Sequence, residues 1–167
     1  MEYGLQLFSV RDITGNDLEG ALKAVAELGY SSVEYAGFFG HSAEQVAAWQ
    51  EKYGLTCAGT HSGTGELLPE NIDATIAYHK TIGNKKFIIP GEDLSTLEKI
   101  DRFASIVNAA IPKMADAGIE LLHIGVNEAS TAPDVPMYFR WQEPGGKEIT
   151  VMYNKGNYGE FSVIPGT

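Results

Sequence analysis

The sequence predicts an α/β protein built on a parallel sheet, and two observations carry this prediction. Short apolar runs alternate with amphipathic helical segments up to about residue 118, in units of about thirty residues. The apolar runs hardly alternate between polar and apolar residues, as expected for strands covered on both faces. Part of a (βα)8 barrel and an open doubly wound sheet both fit this pattern. The nucleotide-binding versions of the open sheet lose support, because the sequence contains neither G-x-G-x-x-G nor G-x-x-x-x-G-K-[ST].

The elements can be placed in chain order. Strands are predicted at YGLQLFSV, SSVEYAG, LTCAGTHSG, KKFIIPG and IELLHIGV. Helices are predicted between them over residues 16–28, 42–53, 69–82 and 95–117. Asn16 and Ser95 are the expected N-caps of the first and fourth helices, and Ser42 forms a capping box with Gln45 at the second. Pro112 is expected to kink the fourth helix or to begin a new turn.

The composition is that of an ordinary globular chain. At 167 residues, with 44% hydrophobic and 20% charged residues, the chain is long enough for one domain with a proper core. The net charge of -10 argues against a nucleic-acid partner, since phosphate backbones require clustered Lys and Arg. The N-terminal run MEYGLQLF carries no basic leader and no long apolar stretch, so we expect a cytoplasmic protein without membrane association. The single cysteine, Cys57, excludes an internal disulfide and is expected to be a buried, inert thiol.

Polar side chains follow each predicted strand, where function gathers in both candidate folds. In chain order they are Ser9, Arg11 and Asp12, then Glu34, Phe38, Phe39 and His41, then Thr60, His61 and Ser62, then Glu92 and Asp93, and finally His123. Hydroxyls, carboxylates, imidazoles and two aromatic rings on one rim suit a polar, sugar-like ligand. Phe38 and Phe39 are the expected stacking wall, with His41 and Ser62 as further substrate contacts. A structural role remains open for each, such as loop packing for the two phenylalanines or backbone bonding for His61.

Five segments of the first two thirds resemble a known family. They are YGLQLFSVRD, LGYSSVEYAGFFGHSAEQV, GLTCAGTHSG, YHKTIGNKKFIIPG and FASIVNAAIPKMADAGIEL. In this order and spacing they are similar to the opening half of sugar phosphate isomerases and epimerases of the xylose-isomerase-like TIM-barrel type. The resemblance covers residues 1–121. It implies an α/β fold that is a partial (βα)8 TIM barrel of four βα units plus a fifth strand.

The resemblance also implies a chemistry. Such enzymes bind a divalent metal (Mn, Mg, Co or Zn) that polarises a sugar carbonyl, while two glutamates remove and return a proton at carbon. By position, Glu34 is the implied catalytic residue. His61 is an implied metal ligand, as in some zinc-dependent relatives. The implied ligand is a small sugar or sugar phosphate.

The run ELLHIGVNEAS, from Glu120 to Ser130, departs from the family pattern. The family continues its fifth strand into a Tyr-His-Asn-His-like run, whereas here His123 falls at the tyrosine and Ile124 at the first histidine. Glu128 follows this strand directly and is the remaining candidate for a catalytic base.

The region after residue 121 has a different character. Residues 122–167 are rich in Pro, Gly and aromatics and are similar to an internal piece of α-mannosidase-like glycoside hydrolases. The runs MYFRWQ, EPGG and KEITVMY predict a C-terminal β-hairpin. We therefore expect two domains, 1–121 as a half barrel and 122–167 as an extension packed on it.

Three functions stay open at this point. The protein could be an isomerase or epimerase-like protein, a truncated or chimeric chain that is inactive alone, or a carbohydrate-binding or interaction module that uses the same rim. Tight metal binding separates the first of these from the others, because the family's ligands come mostly from later strands and His61 with Glu34 alone cannot hold a catalytic ion tightly. Half a barrel leaves open sheet edges, so a homodimer could complete it.

Overall fold

The computed structural model describes residues 3–123, 137–142, 148–154 and 160–163. The chain forms two compact units, Met1–Asn127 and Glu128–Thr167. No helix within the described ranges combines the length and the apolar character needed to span a bilayer. The cytoplasmic location and the boundary between residues 121 and 122 stay predictions.

The first unit is a five-stranded parallel sheet with helices between successive strands. The strands are β1 (Gly4–Gln6), β2 (Ser32–Tyr35), β3 (Thr56–His61), β4 (Lys86–Ile89) and β5 (Glu120–His123). The helices are α1 (Arg11–Thr14), α2 (Leu18–Glu27), α3 (Ala43–Tyr53), α4 (Ile72–Thr81) and α5 (Leu97–Asp116), with 3-10 turns at Leu7–Val10 and Thr64–Leu67.

The order of the strands decides between the two candidate folds. The strands lie side by side in chain order, β1-β2-β3-β4-β5, and every neighbouring pair is parallel. A doubly wound sheet would reverse its strand order at a switch point. The predicted partial (βα)8 barrel is therefore confirmed.

The second unit contains a three-stranded antiparallel sheet. Its strands are β6 (Met137–Gln142), β7 (Glu148–Asn154) and β8 (Glu160–Val163), in the order β6-β7-β8. The β6–β7 pairing runs from Met137 opposite Tyr153 to Gln142 opposite Glu148, which confirms the predicted C-terminal hairpin. The third strand, β8, was not predicted from the sequence.

The core of the first unit lies between the sheet and its helices. Val33 and Tyr35 of β2 are fully buried in one cluster with residues of α2 and α3. Phe87 and Ile89 of β4 are buried in a second cluster with residues of α5. Because strand side chains alternate between faces, the residue between Val33 and Tyr35, Glu34, faces away from the helices.

Two helix caps lie one residue later than predicted. Asp17, rather than Asn16, caps α2, and its Oδ1 accepts the amide N–H three residues on at 2.8 Å. Thr96, rather than Ser95, caps α5 in the same way at 3.3 Å. Asn16 and Asp17 are both good N-cap residue types, and so are Ser95 and Thr96. Residue type alone therefore does not choose between them. The predicted capping box at the start of α3 is confirmed.

One further helix prediction needs correction, and one of the two alternatives at Pro112 is excluded. α4 begins at Ile72 rather than Pro69, because the chain first forms the 3-10 turn at Thr64–Leu67. α5 is a single helix that continues through Pro112, so no new element begins there.

A buried polar network joins β3, α4 and the loop before β4. Asn84 Nδ2 lies 2.8 Å from His79 Nδ1 and donates to Thr60 Oγ1 at 3.2 Å and to the Lys86 carbonyl at 3.0 Å. Asn84 Oδ1 accepts the Lys86 N–H at 3.0 Å. Asn84, His79 and Thr60 are all buried, so few waters can replace these bonds.

Cys57 is partly rather than fully buried, and its thiol is nevertheless shielded. Burial raises the pKa of the thiol to about 12. Since the thiolate is the nucleophile, we expect iodoacetamide at pH 8 to alkylate the folded protein about a thousandfold more slowly than the urea-unfolded chain. Equal rates in the two states would contradict a shielded thiol. Cys57 is the single cysteine, so the measurement reports this residue alone.

The Tyr35 hydroxyl is buried and has no hydrogen-bond partner within the described residues. A buried donor without a partner is destabilising, so Tyr35→Phe is expected to raise the free energy of unfolding by about 1 kcal/mol. Tyr53→Phe is the matched control, because the Tyr53 hydroxyl donates to Glu19 Oε1 at 2.9 Å. That control should lower the free energy of unfolding slightly. Urea unfolding of both variants measures the difference, and a loss of stability in Tyr35→Phe would count against this explanation.

Candidate functional site

The sheet brings three polar side chains together at the carboxyl ends of its first three strands. Gln6 is the last residue of β1, Glu34 lies near the end of β2, and His61 is the last residue of β3. The register pairs Gln6 with Glu34 directly. The carboxyl ends of parallel strands are where sites form in barrels of this kind.

An irregularity in β3 puts His61 on the same face as Glu34. Val33 pairs with Cys57 but Glu34 pairs with Gly59, so Ala58 is an extra residue in the ladder. With regular alternation from Cys57, His61 would point to the helices. The bulge reverses the faces of the residues after it, and His61 contacts Glu34 instead.

The three side chains contact one another closely. His61 Nε2 lies 3.0 Å from Glu34 Oε1, and the side chains are 17% and 26% exposed. Gln6 Nε2 donates to the same Glu34 oxygen at 2.9 Å and lies 3.1 Å from His61 Nε2. The group is therefore held by direct contacts, and the His61 and Glu34 side chains stay partly exposed.

Chemically, the group offers one carboxylate and one imidazole beside an amide. Glu34 can accept hydrogen bonds from sugar hydroxyls or take a proton, and His61 can donate a hydrogen bond or bind a metal through Nε2. Within the described residues, no group of three or more His, Cys, Asp or Glu side chains is arranged to hold a metal ion. A third ligand must therefore come from another residue type or from outside those residues.

The two predicted stacking residues have different surroundings. The Phe38 ring packs 5.2 Å from the Tyr35 ring and 4.5 Å from the Tyr78 ring, measured between centroids. Phe39 is 48% exposed and has a φ of 51°, a left-handed conformation that is uncommon for a bulky residue. Phe38 therefore packs against other rings of the protein, whereas Phe39 is exposed. The stacking roles of both stay predictions.

His41 and Ser62 are engaged with the protein itself. The His41 ring lies edge-on to Trp49 at 4.8 Å, and its carbonyl accepts the Tyr78 hydroxyl at 2.9 Å. Ser62 is buried, and its Oγ lies 3.4 Å from Thr60 Oγ1. Their substrate roles stay predictions. Glu128 and the side chain of His123 lie outside the part of the chain whose side chains the structure describes.

A depression in the surface of the first unit lies between the turn after β3 and the start of α5. It has a volume of about 320 Å³ and is lined by Thr64, Gly65, Leu68, Glu92, Asp93, Lys99, Arg102, Phe103 and Ile106. Two of its charged groups pair with each other, and a third accepts a hydrogen bond from a hydroxyl. Thr64 donates to Glu92, and Lys99 pairs with Asp93 and holds the pKa of that carboxyl below its usual range. The two predicted rim acids, Glu92 and Asp93, therefore belong to this depression.

Gln6 is the functional candidate that sequence reasoning missed. The apolar run YGLQLFSV predicts a longer first strand, so the residues expected at its carboxyl end were Ser9, Arg11 and Asp12. In the structure β1 ends at Gln6 and a 3-10 turn follows. Arg11 instead donates to the Phe8 carbonyl at 2.9 Å and stacks over the Phe8 ring. A polar residue in the middle of an apolar strand was the available signal.

Comparisons with known proteins bear on the fold. No protein-family model matches the sequence, and no curated protein matches it. An AP endonuclease of family 2 from Brucella melitensis superposes with a TM-score of 0.62 and 17% identity, over 78% of this chain and 58% of that chain. A sugar phosphate isomerase/epimerase from Parabacteroides distasonis gives 0.54 and 18%, over 73% and 50%. A xylose isomerase domain containing protein from Salmonella typhimurium gives 0.55 and 15%, over 72% and 47%.

The first unit shares the fold of part of these solved structures, a partial TIM barrel. The resemblance seen in the sequence is thereby confirmed for this fold. The chain spans about half the length of the solved structures that it matches. At these identities the likeness shows the fold alone. The activity, the substrate and the absence of a nucleic-acid partner stay open.

Proposed function

We propose that this xylose-isomerase-like half barrel carries part of a sugar phosphate isomerase or epimerase site, centred on Glu34 and His61. The observation that carries the proposal is their contact at 3.0 Å at the carboxyl ends of β2 and β3. The β3 bulge supports it, because it turns His61 towards Glu34 and away from the helices. A small sugar or sugar phosphate is the ligand that these groups suit.

In this proposal the residues of the chain have separate roles. Glu34 takes the proton from the carbon beside the sugar carbonyl, and Gln6 holds the carboxylate in place through its 2.9 Å hydrogen bond. The imidazole, carboxylate and amide are donor types that fit a divalent metal (Mn, Mg, Co or Zn), with His61 as one ligand. Such a metal, when bound, would polarise the carbonyl oxygen. In this proposal the exposed Phe39 ring stacks on the bound sugar.

Binding can be tested with two variants at the site. His61→Ala and Glu34→Gln are each expected to weaken the binding of a ketose phosphate about tenfold or more, because a hydrogen bond to a charged group contributes about 1.5–3 kcal/mol. Isothermal titration calorimetry measures the affinity. Glu51→Gln, at an exposed position of α3, is the matched control and should leave it unchanged. Unchanged affinity in both site variants would place the ligand elsewhere.

We also propose that the chain alone does not turn over a sugar phosphate. Proton transfer in both directions needs an acid opposite the base, and the contacts described around Glu34 include no second carboxylate. Ketose–aldose and C3-epimerase assays with added manganese are expected to show no rate above the uncatalysed one. Glu128→Gln is the informative variant. Metal-dependent turnover that this variant abolishes would make Glu128 the missing group and overturn the expectation.

Binding without turnover fits both this incomplete isomerase site and the alternative of a carbohydrate-binding module, and binding that needs no added metal would favour the module. The observation on its side is the same lack of a second carboxylate around Glu34 among the described contacts. A homodimer that completes the barrel would instead give turnover that rises with protein concentration. Sedimentation of the same samples separates these two cases.

A further inference from the structure

We propose that a strained turn after β2 holds the Phe39 ring outwards as a preformed stacking surface for the sugar, and that this turn is less stable than another residue at this position would make it. The inference deepens the proposed function, on which it rests, because it identifies the feature that would fix the orientation of the sugar. The turn spans residues 38–41 and is closed by a hydrogen bond from the His41 N–H to the Phe38 carbonyl at 3.0 Å.

The first argument is the backbone of this turn. Its two central residues, Phe39 and Gly40, both have a positive φ, of 51° and 82°. Such turns strongly favour Asn, Asp or Gly at both central positions, because the Cβ of other residues lies too close to a carbonyl oxygen in the left-handed region. Gly40 fits this preference. Phe39 does not, and for a bulky residue this conformation is an outlier.

The second argument is that core packing does not explain the outlier. Phe38 anchors the turn, since its ring packs against the Tyr35 and Tyr78 rings and against the core cluster of β2, α2 and α3. Phe39 lies outside that cluster of described residues and is 48% exposed. A strained backbone that the core does not need points to a role at the surface.

The third argument is the place of the ring. It lies over two residues without side chains: a Cβ added to Gly37 would come within 3.5 Å of Phe39 Cζ, and one added to Gly15 within 3.9 Å of Phe39 Cε1. Gly15 lies in the connection after β1, and Gly37 in the connection after β2. The ring therefore spans the connections that follow the strands of Gln6 and Glu34. An aromatic face that is already held in place there loses little freedom when a sugar stacks on it.

Three variants at this position separate the ring from the strain. Phe39→Asn removes the ring and relieves the left-handed backbone, Phe39→Ala removes the ring and keeps the strain, and Phe39→Tyr keeps both. Urea unfolding of the full chain measures stability, and isothermal titration calorimetry with fructose 6-phosphate measures affinity. Leu28→Asn is the matched control, because Leu28 is 75% exposed and has a right-handed backbone.

The expected result is a gain in stability together with a loss of affinity. Phe39→Asn should unfold at a higher urea concentration than the unaltered chain and bind fructose 6-phosphate about fivefold or more weakly, because an aromatic contact contributes about that factor. Phe39→Ala should lose the same affinity without the gain in stability, and Phe39→Tyr should keep the affinity. Leu28→Asn should show neither the gain nor the loss.

A ring that only stabilises the turn would give a different pattern, since Phe39→Asn would then lower the stability. That result would overturn the inference, and so would unchanged affinity in Phe39→Asn. Affinity that is lost in His61→Ala but kept in Phe39→Asn would overturn this inference alone and leave the proposed function standing. No binding of fructose 6-phosphate or any other ketose phosphate by the unaltered chain would overturn both.

Discussion

Replacing Asn84 with alanine is expected to lower the free energy of unfolding by about 3 kcal/mol. The amide of Asn84 is buried and contacts Thr60, His79 and both backbone groups of Lys86. Its removal takes one hydrogen-bond partner from the buried Thr60 and His79 side chains and two from the Lys86 backbone, and a buried polar atom that stays unsatisfied costs about 1–3 kcal/mol. Urea unfolding followed by circular dichroism at 222 nm measures the change, because the helices assigned in the structure all lie in the first unit.

Asn108→Ala is the matched control for this prediction. Asn108 lies at an exposed position in the middle of α5. Alanine is the better helix former, so this change should leave stability unchanged or raise it by a few tenths of a kcal/mol. If Asn84→Ala lowers the free energy of unfolding by less than about 1 kcal/mol, water must replace the hydrogen bonds of Asn84, which would contradict the prediction.

Phe87→Ala is expected to lower the free energy of unfolding by about 4 kcal/mol. Phe87 is 0% exposed and belongs to the core cluster that also contains Met114 and Ile119. Its ring lies 5.2 Å from the His79 ring, so the packing continues into the polar network. Truncation of a buried phenylalanine removes its transfer free energy and leaves a cavity, which together cost about 3–5 kcal/mol.

Phe8→Ala offers the same chemical change at the surface. Phe8 is 52% exposed, and its main contact is the Arg11 guanidinium, 4.5 Å from the ring centroid. An exposed cation–π contact contributes about 0.5–1 kcal/mol, so Phe8→Ala should lower the free energy of unfolding by no more than that. Similar losses in the two variants would mean that Phe87 does not pack as the structure shows. The same urea experiment compares them directly.

The order of the elements could be predicted from the sequence because it depends on local patterns. Apolar runs separated by amphipathic segments predict strands and helices, and the lengths of the units predict parallel pairing. The N-caps of the helices were harder to predict, since Asn16 and Asp17 are both good N-cap residues and only the fold selects Asp17. The strand β8 was missed for a related reason. Its four residues, Glu160–Val163, are too short a run to stand out from the surrounding Pro/Gly-rich sequence.

The candidate site could be predicted only in part. Glu34 and His61 stand at strand ends and carry obvious chemistry, so the sequence pointed to both. Their contact could not be predicted, because it depends on the extra residue in β3. Ala58 gives no sign of a bulge in the sequence, and without the bulge His61 would belong to the other face. Gln6 was missed because the end of β1 depends on the 3-10 turn that follows it.

The most direct test of the Glu34–His61 site is a nuclear magnetic resonance titration that follows the imidazole signals of the four histidines. The added ligand is ribulose 5-phosphate, in the presence of Mg²⁺. We predict that the His61 signals shift and saturate, and that those of the buried His79 stay in place. Assignments follow from His41→Ala, His61→Ala and His123→Ala, and the remaining signals belong to His79. Unmoved His61 signals at millimolar ligand would contradict a sugar phosphate site at the carboxyl ends of β2 and β3.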